Sequence, residues 1–442
     1  MAYRFFQQVA RASQWFEARY TPLGQLLAGL VVAAVVFATD PSRTRANVLL
    51  AGLFASFTVA FICNLRWRPA LICQRQLPNY AVAGEPMTYR IIVSNRGSRA
   101  ESNLLLRDRL QEKFPSRQEM ALRATHRAVA ENWFDRRVGF LRWLQRTRFL
   151  RGGVLPPVNL PALAAGARAE VVSSFTPLRR GIVNFARIDC ARADPLGISF
   201  ATSRIALTQA LLVLPRHYSI PLFAVSTAGS AAPDRTAAPG AVHGSHEFHA
   251  LREYRTGDSL RHVHWRASAK RGTPVVKQFV DGQQAELTLL LDTASDDRLF
   301  ESLVEVVASL VLAANHQRTR LLELLLLDAR LAAPNIPPAP SAQSLLETLA
   351  LLTPAATDEF ASAITQLRLA TDKSIIFITG EWSLSRQQFS RQLVNSVSYA
   401  HTLIVATQAI APAELAAHCT VLRVAQLAED LSNLTLESDL HG

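Results

Sequence analysis

Two uninterrupted apolar runs open the chain. Residues 23–39, LGQLLAGLVVAAVVFAT, and residues 46–65, ANVLLAGLFASFTVAFICNL, contain no charged side chain. About 20 helical residues cover the ~30 Å hydrocarbon core of a bilayer, so each run predicts a spanning helix, the first with help from its flanks. The connector DPSRTR is short, which makes the pair a transmembrane hairpin. Gly24, Gly29 and Gly52, with many alanines, permit close helix contact. Arg4, Arg11 and Arg19 precede the first run and Arg66, Arg68 and Arg75 follow the second, against Arg43 and Arg45 between them. The positive-inside bias therefore predicts both ends in the cytoplasm. A cleaved signal peptide, ending at Val36-Phe37-Ala38, is the competing reading of the first run.

Beyond residue 70 the period shortens to that of strands. MTYRIIVSN, within residues 80–110, and AEVVSSFTPLRRGIVNFARIDCARADPLGISFAT, residues 169–202, are rich in strand-forming residues and punctuated by Gly, Asn and Pro. Strands without intervening helices predict a β-sandwich over 71–220. An insertion, about 112–153, interrupts it with arginine-rich sequence of helical composition, including Trp133, Phe134, Phe140, Trp143 and Phe149. Two readings stand side by side for it, an interfacial helix on anionic lipid and a helix packed on the sandwich with a solvated basic face; a nucleic-acid surface, which aromatics beside arginines would also suit, is a third and is ranked below them. Residues 221–246, rich in Ala, Ser, Gly and Pro, read as a flexible linker.

From 285 to 425 continuous apolar strands alternate with helices. AELTLLLDTASD, LLELLLLDA, KSIIFITG and HTLIVAT are the strands, and helices fall at RLFESLVEVVASLVLAANHQ, near 341–351 and 358–369, and at SRQQFSRQLVNSVS. This alternation predicts an α/β domain with a parallel sheet covered on both faces. Ligands of such folds sit at the carboxyl ends of strands, here marked by Asp292, Asp328, Thr379 and Thr407. Residues 426–442 read as a C-terminal tail.

The net charge of +12 favours anionic partners: acidic proteins or the inner surface of a membrane. Nucleic acid is not expected. Cys63, Cys73, Cys190 and Cys419 are scattered, with no CxxC pair, which reads as free thiols rather than structural zinc. No P-loop and no G-x-S-x-G occurs, and a His264–Ser268 pair alone does not make a hydrolase, so no enzyme activity is expected.

The densest chemistry lies in the 247–284 segment. Its LREYRTGDSLRHVHWRASAKRG carries Arg252, Tyr254, Arg255, Gly257, Asp258, Arg261, His264, Trp265, Arg266, Ser268, Lys270 and Arg271. Gly257 marks a turn, Asp258 or Ser259 a helix cap, and Gly272 the helix end. Two roles suit it: a salt-bridged clasp between domains, or a docking surface for an anionic partner. With PLRRGIVNF and DPLGIS upstream, and the paired N-terminal runs in residues 1–70, this motif resembles the domain of unknown function 58 family; Leu196 stands where that family's turn usually has an aromatic.

The resemblance implies a membrane-anchored protein of the bacterial inner membrane, with two spans, a cytoplasmic β-sandwich and a von Willebrand factor A-like (Rossmann-like) domain. It also implies a non-catalytic scaffold or adaptor role. The partners would be a MoxR-type AAA+ ATPase and other von Willebrand A proteins. Such a domain binds Mg²⁺ through an Asp-x-Ser-x-Ser loop. Here that loop reads Asp292-Thr293-Ala294-Ser295-Asp296, so a site at Asp292, Ser295 and Asp296 is degenerate, and no cofactor is expected. A metal-dependent receptor acting through Asp292 is the alternative.

Overall fold

A computed structural model describes residues 2–37, 44–115, 140–221, 246–255, 263–281, 286–295, 297–316, 320–327, 341–355, 360–367, 374–407 and 415–434. The chain is multidomain, dividing into two compact units: Met1–His217 with Leu346–Thr353, and Tyr218–Leu345 with Pro354–Gly442.

The first unit begins with three helices, α1 (Ala2–Arg19), α2 (Pro22–Phe37) and α3 (Thr44–Leu65). Residues 47–65 of α3 are long and apolar enough to cross a membrane and only 6% of that stretch is buried in the protein. Residues 38–43, between α2 and α3, lie outside the described residues. The described part of the first run forms a helix of 16 residues, Pro22–Phe37.

Two sheets follow. One has the order β1 (Leu71–Gln76), β3 (Met87–Asn95), β7 (Arg168–Pro177), β5 (Gly153–Val154); the other has β2 (Tyr80–Val82), β9 (Phe200–Leu214), β8 (Gly181–Ala193), β4 (Leu104–Leu110), β6 (Val158–Leu160). Period-2 burial along β1, β3 and β7 turns one face of each strand inward. Tyr89, Ile91 and Val93 from one sheet share a core with Leu104, Leu106, Phe185 and Ile188 from the other. Within that core lies a buried ion pair. Arg75 donates to Asp108 through Nε at 2.8 Å and Nη2 at 2.6 Å, and stacks on Phe185 at 4.8 Å. Of the arginine-rich insertion, the structure describes the helix Phe140–Arg151, where Trp143 and Thr147 are buried. The four cysteines are free thiols.

The DPLGIS turn is the socket for the apolar helices. Asp194 accepts from the backbone N–H of Leu196, Ile198 and Ser199 and from the Ser199 hydroxyl, which closes the turn. Thr21, the residue before α2, donates its backbone N–H to Ile198 O at 3.1 Å and its hydroxyl to Gly197 O. Asn64 at the end of α3 donates to Ser199 Oγ at 2.8 Å. Gly24 lies so close that a Cβ there would sit 1.9 Å from Ile198 O. A backbone oxygen cannot swing aside, so Gly24→Ala forces α2 off the turn. Overpacking of this kind costs about 1–3 kcal/mol, read as a lower melting temperature of the full chain in detergent.

The second unit holds a parallel five-stranded sheet of order β13 (Arg320–Leu327), β12 (Glu286–Asp292), β14 (Ser374–Thr379), β15 (Tyr399–Ala406), β16 (Cys419–Arg423). Every residue of β14 is buried, so both its faces are covered, as its continuous apolar run requires. The helix Asp297–His316 packs on β12 to β15, and Phe360, Phe377 and Phe389 join the helices Phe360–Gln366 and Leu384–Ser396 to the sheet. A two-stranded antiparallel pair, β10 (His246–Glu253) and β11 (Val275–Asp281), forms a separate sheet. Where a tail was expected, the chain continues in a helix, Leu427–Ser432, with Leu427 and Leu431 buried.

Candidate functional site

The strand ends place one carboxylate where an open parallel sheet offers a ligand crevice. β12 pairs with β13 on one side and β14 on the other, so the strand order reverses beside Asp292. Asp292 is fully buried. It accepts from the Thr379 hydroxyl at 2.8 Å and from the backbone N–H of Ala294 at 3.1 Å. Its other partner is a cation supplied by the protein. Arg386, in the first turn of the Leu384–Ser396 helix, donates from Nε to Asp292 Oδ2 at 2.9 Å and is itself 1% exposed. The guanidinium lies 4.4 Å from the Phe360 ring centre, and its Nη1 reaches Glu381 at 3.2 Å and Ser383 Oγ at 3.2 Å. Burial pushes the Asp292 carboxyl above the ordinary aspartate range, and Arg386, Thr379 and the Ala294 N–H pull it back.

This arrangement does not fit a divalent cation. Mg²⁺ needs an octahedron of hard oxygens, and a guanidinium already faces the Asp292 oxygen that would supply one. Ala294 offers no hydroxyl, and Asp296 lies outside the described residues. Ser295 Oγ has no hydrogen-bond partner among the described residues, yet a single hydroxyl does not hold a dication. Among the described residues no group of three or more His, Cys, Asp or Glu side chains is placed to hold a metal. Asp328 is likewise outside the described residues.

The 247–284 segment forms β10, a short helix Trp265–Arg271 and β11. Gly257, Asp258, Ser259 and Arg261 lie outside the described residues. The helix starts later than expected, and its cap is His264, whose Nδ1 accepts the Ala267 N–H at 3.0 Å. Gly272 ends it in the left-handed conformation, φ 71°, as its position predicts. Ser268 stitches helix to strand: its hydroxyl donates to His264 O at 3.1 Å and accepts the Val275 N–H at 2.9 Å. His264 and Ser268 are thus occupied with backbone groups. Val263, Val275 and Val276 are buried beneath the helix. Arg252 and Tyr254 are half-buried, and Arg255 is exposed.

The outer side of this module is different. Trp265 does not enter a core: its side chain is 68% exposed. Arg266, Lys270 and Arg271 are also exposed on the same short helix. An exposed aromatic on a cation-bearing helix, whose backbone is held by two caps and the Ser268–Val275 contact, has the composition of an interaction anchor.

With this geometry in view, comparison with known proteins is informative over the second unit. Residues 250–416 match the family described as protein of unknown function DUF58. That span takes in the helix with Trp265, the Asp292–Arg386 pair and the first four strands of the parallel sheet. The uncharacterized protein YeaD of Bacillus subtilis is 28% identical over 134 residues, which is 30% of this chain and 33% of that relative. Two solved structures each cover 33% of the chain: the CARDB domain of a Pyrococcus furiosus protein in complex with di-metal ions, at 11% identity, 89% of its own length and TM-score 0.19, and a PapD-like domain of human CEP192, at 9%, 84% and 0.18.

Sequence reasoning placed Asp292 and Thr379 at the strand ends but missed Arg386. The signal available was the ITGEW turn followed by SRQQFSRQ, a cation on the first helical turn after an adjacent strand. Glu381 of that turn is now seen to be the second carboxylate of the arginine.

Proposed function

We propose that the chain is a membrane-anchored adaptor. In this reading α2 and α3 cross the bacterial inner membrane, the bulk of the chain is cytoplasmic, and a von Willebrand A-like domain with a lapsed metal loop presents a docking helix to a partner complex. The partner chemistry is that of an acidic protein surface, and a MoxR-type AAA+ ATPase is the partner the resemblance names. The observation that carries the reading is the exposed, cation-flanked Trp265. The receptor alternative through Asp292 is disfavoured by the guanidinium of Arg386 on that carboxylate.

Binding of the full chain to a purified MoxR-type ATPase from the same organism tests it. Trp265→Ala should weaken capture by about 30-fold, the loss expected of a hot-spot side chain worth ~2 kcal/mol. The doubly reversed Arg266→Glu/Arg271→Glu should weaken it too, and weaken its salt dependence. Melting of both variants should stay within about 0.5 kcal/mol of the parent, since these side chains are exposed. Undiminished capture by both variants would remove the docking role of this helix.

A further inference from the structure

A cavity of about 1140 Å³ lies within the first unit, where α1, α3, the second sheet and the helix Phe140–Arg151 meet. Its wall changes character from one side to the other. Phe54, Phe57, Phe61 and Leu65 of α3 line one part, with Phe54 55% and Phe61 60% exposed. Seven arginines and four carboxylates line the rest. Asp108 is engaged by Arg75 from outside the wall, and Asp189 by the wall's own Arg109 at 3.3 Å and Arg187 at 2.9 Å, so seven guanidiniums stand against four carboxylates. The wall therefore keeps an excess of positive charge.

Three observations give that charge a place and a partner. Asn64 and Leu65, at the end of the membrane-length helix, are part of the wall, so the arginines sit at the level where that helix leaves the apolar phase. α1 closes the cavity, held by Phe6 against Phe140 and Trp143 and by Arg107 donating to Ala18 O at 3.0 Å. Trp143, in the wall and fully buried, has an indole N–H with no acceptor among the described residues. A buried donor without an acceptor is costly, and a ligand oxygen would satisfy it.

We propose that this cavity holds the head group of an anionic phospholipid, whose phosphate is taken by the arginines and the Trp143 N–H while its acyl chains lie along Phe54, Phe57 and Phe61. A soluble anion matches the arginines but leaves the phenylalanine wall unexplained. A zwitterionic lipid matches the phenylalanines but not the excess charge. The inference rests on the bilayer reading of α3.

The test uses the full chain purified in mild detergent from membranes that contain phosphatidylglycerol and phosphatidylcholine, with retained lipid measured by native mass spectrometry. Phosphatidylglycerol should be retained in preference to phosphatidylcholine. Arg148→Glu, an exposed position in the wall, should lower its retention by at least about fivefold, the factor set by one cation near an anionic lipid. Arg168→Glu, the same charge change on β7 away from the cavity, should not. Trp143→Phe should lower retention while Arg148 is intact. Equal loss from Arg148→Glu and Arg168→Glu would overturn the site, as would equal retention of the two lipids or complete displacement by inorganic phosphate. Carbonate washing separates the two readings. A chain that stays in the membrane but shows no preference refutes the lipid site alone, whereas a chain that washes off refutes the bilayer reading and the site with it.

Discussion

Replacing Arg386 with leucine should destabilise the second unit by about 3–5 kcal/mol, because it leaves the fully buried Asp292 carboxylate without its counter-charge. Thr379 and the Ala294 N–H remain, and two neutral donors do not replace a guanidinium. The loss should shrink on acidification. Burial already raises the Asp292 pKa and Arg386 opposes that rise, so the variant's carboxyl lies higher still. A raised folded-state pKa means the native state holds more protons than the unfolded chain at intermediate pH. Stability then rises as pH falls through that window. The double variant Asp292→Asn/Arg386→Leu should recover most of the loss, since it removes the buried charge and leaves the Thr379 and Ala294 donors an acceptor. Amide exchange along β12 and β14, with melting of the full chain in detergent, reads all three. Added Mg²⁺ should not raise the melting of the unmodified chain. Melting of Arg386→Leu like the parent, or a Mg²⁺-dependent rise in the parent, would show that the pair does not occupy the site as described.

What the sequence disclosed, and what it hid, follows from how far each cause reaches along the chain. Continuous runs such as SIIFIT and LIVA are local signals, and the strands Ser374–Thr379 and Tyr399–Ala406 fall on them. Gly272 was legible because a helix end needs a left-handed residue at that point alone. Arg386 was not, because its role depends on a carboxylate 94 positions earlier. Until the parallel strands set Asp292 beside Thr379, an arginine in a polar helix reads as a solvated charge. The exposure of Trp265 was not legible for a related reason. Its neighbours in sequence do not say which way it faces: Ser268 is turned to Val275 by a hydrogen bond that exists only once the strand is in place, while Trp265 is left at the surface. Helix α1 was available from the apolar spacing of Phe5, Phe6, Val9 and Ala10, which the arginines around them obscure.

The same logic of buried, locally invisible polar groups governs the far edge of the parallel sheet. His401 on β15 is largely buried, its Nε2 2.8 Å from Thr420 Oγ1 on β16. Burial first, and then the neighbouring His418, lower its pKa to about 4. His418 is itself lowered, by burial and by Arg391 of the Leu384–Ser396 helix, and its Nε2 lies 3.1 Å from Ser390 Oγ. Burial and His418 thus both oppose protonation of His401. In the unfolded chain a histidine takes its proton near pH 6.5, so between that value and about 4 the unfolded state binds more protons than the native one. Stability must then fall with falling pH: by about 2 kcal/mol at pH 5 and about 3 kcal/mol at pH 4 from this residue alone. Above about pH 8 the residue should contribute almost no slope. His401→Gln keeps a polar partner for Thr420 and cannot be protonated. The difference between parent and variant, measured by amide exchange in β15 and β16 from pH 7 to pH 5, isolates the histidine from the carboxylates that titrate at lower pH. Parallel pH profiles for the two proteins would mean that His401 takes its proton in the folded sheet as readily as in the unfolded chain, and that the Thr420 contact does not hold the ring neutral.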